Sequence, residues 1–416
     1  MGKYLIDGGR KLDGKIIIQS AKNAVLPLLA ASILTDEQVI IHKCPKISDV
    51  INMKEILSEL GCYIQFEGDT LIIDSGQATC HEIPKRLASE LRSSIFMLGS
   101  IISRFGKAKV AYPGGCDIGL RPIDLHLKGL KRLGVNICEE NGLIDCICEE
   151  VKGAEIVLDC PSVGATENIM LAAVKAKGRT TIRNAAKEPE IVDLQNFINK
   201  MGGKVYGAGT TTIIIYGVEK LNGVEYTPIP DRIEAGTFLI AAAITGGNIE
   251  ISNCNREHIA SLIHKLRETA CKIDCKNDKI NIKATDKLFS FNIIETMPYP
   301  GFPTDLQAQM LSLACVLNGT SMIVENMFET RYKHVSELIK MGADITVRGR
   351  TAVIRGVNNL SGSEVTAWDL RGGAALTIAA LNAKGKTIVD ETEHIDRGYF
   401  NFDEKLRQLG ADIKKI

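Results

Sequence analysis

Six stretches of this chain carry small and apolar residues on every side, with little interior charge. They are Lys22–Leu34, Leu91–Ile102, Gly164–Ala176, Arg232–Ile244, Phe302–Leu317 and Asp369–Leu381. A helix that is apolar all round is buried rather than half exposed, so the pattern predicts six buried helices. Most are followed by a strand-like run, such as Thr180–Asn184, Asn248–Asn253, Met322–Asn326 and Thr387–Asp390. An amphipathic helix comes next and ends in an apolar pair followed by glycine, at Gly61, Gly134, Gly202, Gly342 and Gly410. The fourth copy is weaker and has Ala270-Cys271 at that place. Glycine there fits the end of a helix, where the next residue must take a positive φ before the chain turns into a strand. The anchors lie about 68–73 residues apart.

Each repeat therefore reads as buried helix, strand, amphipathic helix, glycine, strand and hairpin-like strand. Six copies of this length are too long for ordinary solenoid repeats. They predict an α/β fold of two domains, each built from three βαβαββ-type repeats with the helices inside and the sheets outside, a pseudo-threefold, inside-out α/β barrel. The proline-rich stretch Pro228-Ile229-Pro230-Asp231 is suited to a crossing between domains. That gives residues 22–230 as the first domain and residues 1–21 plus 231–416 as the second. The first strands, about Tyr4–Gln19, are expected to join the last repeat and close the second domain through both termini. A single continuous array of repeats is the alternative.

Composition narrows the function classes. The 416 residues include 50 Lys+Arg and 50 Asp+Glu, a formal charge of zero, which argues against a general nucleic-acid or polybasic membrane binder. A 45% hydrophobic share supports large cores. The longest strongly apolar stretch, Ala24–Leu34, falls well short of the roughly 20 residues that span a bilayer. The N-terminus lacks the apolar core of a signal peptide, and Ile6 breaks the myristoylation pattern. These features predict a cytoplasmic protein. The 12 cysteines, among them Cys138, Cys146, Cys148 and Cys315, mostly sit in apolar runs and are read as buried, reduced thiols. No CxxC occurs, Cys146-x-Cys148 and Cys271-x3-Cys275 lack histidine partners at zinc spacing, and no metal or other cofactor is expected.

Charge recurs at the mouths of the buried helices: Lys22-Asn23 at the first, Arg92 at the second, Arg232 at the fourth, Asp305 at the fifth and Arg371 at the sixth. A helix N-terminus already carries partial positive charge, so added cations there suit a bound anion. Arg331 and Arg397 lie in polar segments outside the repeat and carry the planar fork that suits carboxylate and phosphate. The loop Ala111–Pro122 places Cys116 after Pro113-Gly114-Gly115 and five residues before Arg121. A thiol beside a cation can serve as nucleophile or proton donor, and an incidental cysteine in a hairpin reads the same way. There is no phosphate-binding GxxxxGK[ST] loop and no GxSxG elbow.

At these residues the chain resembles the enolpyruvyl transferases that act on UDP-N-acetylglucosamine. The resemblance runs end to end and rests on Ser20–Ala24, Pro113–Pro122, Ala185–Ile191, Pro303–Gln309, Phe328–Arg331 and His394–Tyr399. It implies two three-repeat domains with substrates in the cleft between them. It also implies transfer of the enolpyruvyl group of phosphoenolpyruvate to the 3′-hydroxyl of the UDP-sugar, by addition and elimination through a tetrahedral ketal, with release of phosphate. This is the first committed step of peptidoglycan precursor synthesis. The partners so implied are the two small-molecule substrates, with no nucleic acid and no membrane. Oligomeric state is not legible.

Residue by residue, the resemblance makes Cys116 the proton donor to the phosphoenolpyruvate methylene, able to form a covalent adduct with it. It makes Asp305 the carboxylate that takes the sugar proton. Lys22, Arg121 and Arg397 become phosphoenolpyruvate-binding cations, with Arg331 and Arg371 in the same anion cluster, Asn23 beside Lys22, and Lys22 and Arg397 counted with the catalytic groups. The UDP-sugar contacts become Arg92, Arg121, Pro122, Ile123, Asp124, Leu125, Pro161, Ser162, Val163, Gly164, Asp305 and Met327. Phe96 stands where tryptophan is common in the family and Met327 where a small branched residue is common. Arg371-Gly372-Gly373 replaces a more usual Arg-Ala-Ser, which is expected to loosen that helix start. A shikimate-phosphate enolpyruvyl transferase and a non-catalytic UDP-sugar-binding paralogue are the alternatives.

Overall fold

The computed structural model describes residues 2–112, 114, 123–285 and 287–416, without the side chains of Arg92 and Ser93. The chain divides into two domains. One holds the described residues from Ser20 to Ile229, and the other holds the N-terminal residues through Gln19 together with Pro230–Ile416. A single continuous array is thereby ruled out. At the division, Ala21 N donates to Ile229 O at 2.8 Å inside the one domain, and Asp231 N donates to Gln19 O at 2.8 Å inside the other.

Each domain has its own apolar core, made by three buried helices and the inner faces of three four-stranded sheets. In the first domain the buried helices are Lys22–Ser32, Met97–Phe105 (entered through a 3-10 turn at Arg92–Phe96) and Val163–Ala173. In the second they are Arg232–Ile244, Gln307–Ala314 (entered through Thr304–Leu306) and Leu370–Asn382. All thirteen residues of Arg232–Ile244 are buried, as an all-round apolar pattern requires.

The six sheets share one plan. An edge strand runs parallel to the second strand, and an antiparallel hairpin completes the four. The edge strand always comes from the end of the preceding repeat. Glu82–Ile83 pairs with Lys107–Ala111, Glu155–Val157 with Arg179–Arg183, and Val224–Tyr226 returns to Val39–Ile41. The second domain repeats the cycle: Ile293–Glu295 pairs with Thr320–Val324, Glu364–Thr366 with Lys386–Asp390, and Asp13–Ile17 with Asn248–Ser252. Each domain is thus closed by strand exchange around a ring.

The N-terminal segment therefore does not join the last repeat as a whole. Tyr4–Asp7 pairs with Asp412–Lys415 as the last hairpin, whose turn is replaced by the two chain ends, with Ile416 N donating to Lys3 O at 2.8 Å. Asp13–Ile17 instead supplies the edge strand of the fourth repeat. Ring closure needs an edge strand for that repeat, and only the segment just after the sixth hairpin is in place to give it.

The glycines that end the amphipathic helices take φ of 97° (Gly61), 91° (Gly134), 95° (Gly202), 89° (Gly342) and 97° (Gly410). Ala270 occupies the same place in the fourth repeat at φ 73°, a conformation that costs an L-residue with a Cβ. Cys146, Cys148 and Cys315 are buried, and burial pushes the Cys146 and Cys315 thiols up to about 12. Cys138 is exposed, against expectation, because it pairs with the exposed Asp145 on the outer face of its sheet, whereas its neighbour Ile137 pairs with the buried Cys146. Among the described residues no helix is long and apolar enough to cross a membrane, and no cluster of His, Cys, Asp and Glu could hold a metal ion.

Candidate active site

The second domain gathers three of the expected residues. Asp305 lies in the 3-10 turn that opens the fifth buried helix, Arg371 in the first turn of the sixth, and Arg331 in the loop after strand Thr320–Val324. Arg331 Nη2 donates to Asp305 Oδ1 at 2.8 Å, and Arg371 Nη2 donates to Asp305 Oδ2 at 2.9 Å. Both guanidiniums are almost wholly buried, at 3% and 5% side-chain exposure, and Asp305 remains 25% exposed. Burial alone would raise the Asp305 carboxyl. The charges of Arg371 and Arg331 and their hydrogen bonds outweigh it and hold the group well below the usual carboxylate range. Two cations share one anion here, and Arg331 Nε has no hydrogen-bond partner among the described residues. The open Arg331 donor beside two buried guanidiniums suits a further anion.

The surroundings fix these groups. Asp369 caps the sixth helix, its Oδ1 accepting from Arg371 N at 3.0 Å and Gly372 N at 2.9 Å. That cap and the tight packing of both glycines replace the loosening expected of the Gly-Gly pair. A Cβ on Gly373 would meet Ala367 Cβ and Ile395 Cγ1 at 2.8 Å each. Arg371 lies 5.4 Å from the centre of the Tyr399 ring, and Arg331 lies 5.4 Å from that of Phe328. The Tyr399 hydroxyl shares a 2.8 Å hydrogen bond with Thr237 Oγ1, and Gln309 Nε2 donates to Asp305 O at 3.0 Å. His334 is buried beside this cluster. Burial, helped by Arg331 and opposed by Asp369, pushes its imidazole down to about 4, so it is neutral at pH 7.

In the first domain, Lys22 stands at the mouth of the first buried helix and forms a 2.8 Å ion pair with Asp49, both side chains being nearly buried. Asn23 beside it is half-buried. The expected sugar contacts Pro161, Ser162, Val163 and Gly164 open the third buried helix, where Ser162 caps it by accepting from Ala165 N at 3.3 Å. Gly164 is packed against neighbours: a Cβ there would come within 2.9 Å of the Phe96 ring and 3.1 Å of His126. Ile123 is buried, Leu125 half-buried and Asp124 exposed in the first turn of helix Asp124–Arg132.

The remaining candidates divide into two groups. Arg397 ends the short helix Glu393–Asp396 and is half-buried, and Met327 is 36% exposed. Cys116, Arg121 and Pro122 lie outside the described residues, as does the side chain of Arg92. Sequence reasoning missed Asp49, Glu325, Asp369 and Tyr399. Asp49 and Asp369 follow the N-terminal rule for acids at helix starts, which marks a cap and says nothing of a partner.

The family model for EPSP synthase (3-phosphoshikimate 1-carboxyvinyltransferase) matches residues 6–406. A UDP-N-acetylglucosamine 1-carboxyvinyltransferase 2 of Caldanaerobacter subterraneus subsp. tengcongensis is 53% identical over 416 residues, covering all of both chains. One of the same name from Clostridium tetani is 48% identical over 418 residues, again covering all of both. Among solved structures, the enolpyruvyl transferase NikO from Streptomyces tendae superposes with a TM-score of 0.90 at 24% identity, over 100% of this chain and 99% of that one. EPSP synthase from Acinetobacter baumannii gives a TM-score of 0.77 at 18% identity, over the whole of both chains. Those two likenesses bear on the fold.

Proposed function

The chain belongs to the enolpyruvyl transferases of the EPSP synthase family, in the branch of the UDP-N-acetylglucosamine 1-carboxyvinyltransferases, and from that premise we propose how its residues carry out the reaction. The enzyme transfers the enolpyruvyl group of phosphoenolpyruvate to the 3′-hydroxyl of UDP-N-acetylglucosamine and releases phosphate, in peptidoglycan precursor synthesis. In the addition, the sugar oxygen bonds to C2 of phosphoenolpyruvate, the hydroxyl proton leaves, and C3 gains a proton. In the elimination, C3 gives up a proton, the C2–O bond to phosphate breaks, and the enol ether forms.

The observation that carries the residue assignment is the grip of two buried guanidiniums on Asp305. A carboxylate so held is a weak base in the free enzyme. A substrate anion that engages Arg331 and Arg371 offsets their charge, so the Asp305 carboxyl rises toward its ordinary range when the substrate is present. Asp305 then takes the sugar proton, with positioning supplying much of the rate. The resemblance assigns Cys116 as proton donor to C3 and as the thiol that forms the pyruvate adduct. It assigns Lys22, Asn23, Arg121, Arg331, Arg371 and Arg397 to phosphoenolpyruvate, where fixed cations stabilise charge that develops in the transition state. It assigns Arg92, Arg121–Leu125, Pro161–Gly164, Asp305 and Met327 to the UDP-sugar. The reading places the enzyme in the cytoplasm, upstream of cell-wall growth, cell shape and division.

The test is phosphate release from purified protein with each substrate omitted in turn. Release that needs both substrates and is lost in Asp305→Ala is the expected result. Saturable UDP-sugar binding without release would favour the binding paralogue, and release with shikimate 3-phosphate in place of the UDP-sugar would favour the other transferase.

A further inference from the structure

One buried carboxylate that the reaction does not consume joins the two segments bearing Asp305 and Arg331. Glu325 follows strand Thr320–Val324 and is 0% exposed. Its Oε1 accepts from Thr296 Oγ1 at 2.9 Å, from Met327 N at 2.8 Å and from Phe328 N at 3.0 Å. Its Oε2 accepts from Thr304 Oγ1 at 2.9 Å. Thr296 in turn accepts from Asn326 N at 2.8 Å.

We infer that Glu325 is a positioning residue for the transfer, setting the placement of Asp305 through Thr304 and that of Arg331 through the Met327–Phe328 backbone. This rests on the function proposed above. Thr304 adjoins Asp305 in the same 3-10 turn, and the Phe328 ring lies 5.4 Å from the Arg331 guanidinium. A 3-10 turn of three residues has poor internal hydrogen bonding, so it needs an external anchor. A carboxylate accepts at both oxygens and donates nothing, so it can hold four donors from three places in the chain at once. The same residue fixes the backbone of Met327, which the resemblance places against the UDP-sugar. An error of about 1 Å in such a constellation can cost about a hundredfold in rate.

The experiment compares Thr304→Val with Thr304→Ser in steady-state phosphate release and in UDP-N-acetylglucosamine binding by calorimetry. Thr304→Val removes the hydroxyl link to Glu325 and leaves its other three hydrogen bonds. The expected result is a kcat lowered about tenfold or more, given that sensitivity to placement, with both KM values and the UDP-sugar affinity held within about twofold. Thr304→Ser keeps the hydroxyl and is expected to restore most of kcat. Should Thr304→Val fail to fold, Thr304→Ala removes the same hydroxyl and is read the same way. Wild-type kcat in the truncation variant, or an equal loss in the serine variant, overturns the positioning role. Absence of phosphate release from the wild-type protein is the separate result that overturns the function itself.

Discussion

Asp305 and Arg371 meet at 2.9 Å although they lie 66 positions apart in the chain. Removing the carboxylate leaves Arg371 and Arg331 buried without their shared counter-ion. Asp305→Ala is expected to abolish phosphate release and to lower stability by about 3–5 kcal/mol, the usual cost of breaking a buried pair from one side. Urea unfolding of the variant checks the second part, and an unchanged midpoint would contradict it.

The same contact fixes the sign of an acid dependence. The folded Asp305 carboxyl lies below its unfolded value of 3.8, so it contributes stability that is fully present above that pH and is lost as pH falls through the lower folded value. Asp305→Asn is expected to show a shallower loss of stability below pH 3.8 than the wild type. Matched unfolding curves between neutral and acid pH decide it.

Glu167 behaves in the opposite sense. It is 1% exposed on the third buried helix, and neither carboxyl oxygen has a hydrogen-bond partner among the described residues. Burial, together with Glu190 and Glu188, raises it well above 4.5. The folded chain keeps this proton where the unfolded chain has lost it, so the stability it allows falls as pH rises from 4.5 toward the folded value. Glu167→Gln is expected to remove that slope and to match or exceed the wild type at pH 8. A variant with the wild-type slope would sink the assignment.

Ala270 takes the left-handed conformation that five glycines take in the other repeats. Ala270→Gly is expected to raise stability by about 1 kcal/mol, because the alanine Cβ is strained at this φ. A chemical denaturation midpoint shifted downward would refute it.

Gly373 supplies the reverse case. Alanine there gains about 1 kcal/mol in helix propensity. It also places a Cβ 2.8 Å from both Ala367 and Ile395. Gly373→Ala is expected to destabilise by about 1–3 kcal/mol as overpacking outweighs propensity, measured as a fall in melting temperature.

The elements and their beat are legible along the chain. A helix apolar on all faces and a glycine with positive φ are local facts, set by burial and by Cβ sterics, and they gave the six helices from Lys22 to Asn382 nearly to their ends. The sequence also marked Asp305, Arg331 and Arg371 as charges out of keeping with their repeats. The partners follow only from long-range packing. Nothing local tells Asp13–Ile17 to pair with Asn248–Ser252, or Val224–Tyr226 with Val39–Ile41, because those pairings follow from ring closure across long chain separations. The same holds for charge. A lysine at a helix mouth is visible in the sequence, but its ion pair with Asp49 is not. Glu325, one acid after an apolar strand, reads as a solvated strand end. Only the packed chain brings Thr296, Thr304 and two backbone amides to it, since hydrogen bonds between distant segments depend on where the folded backbone carries them.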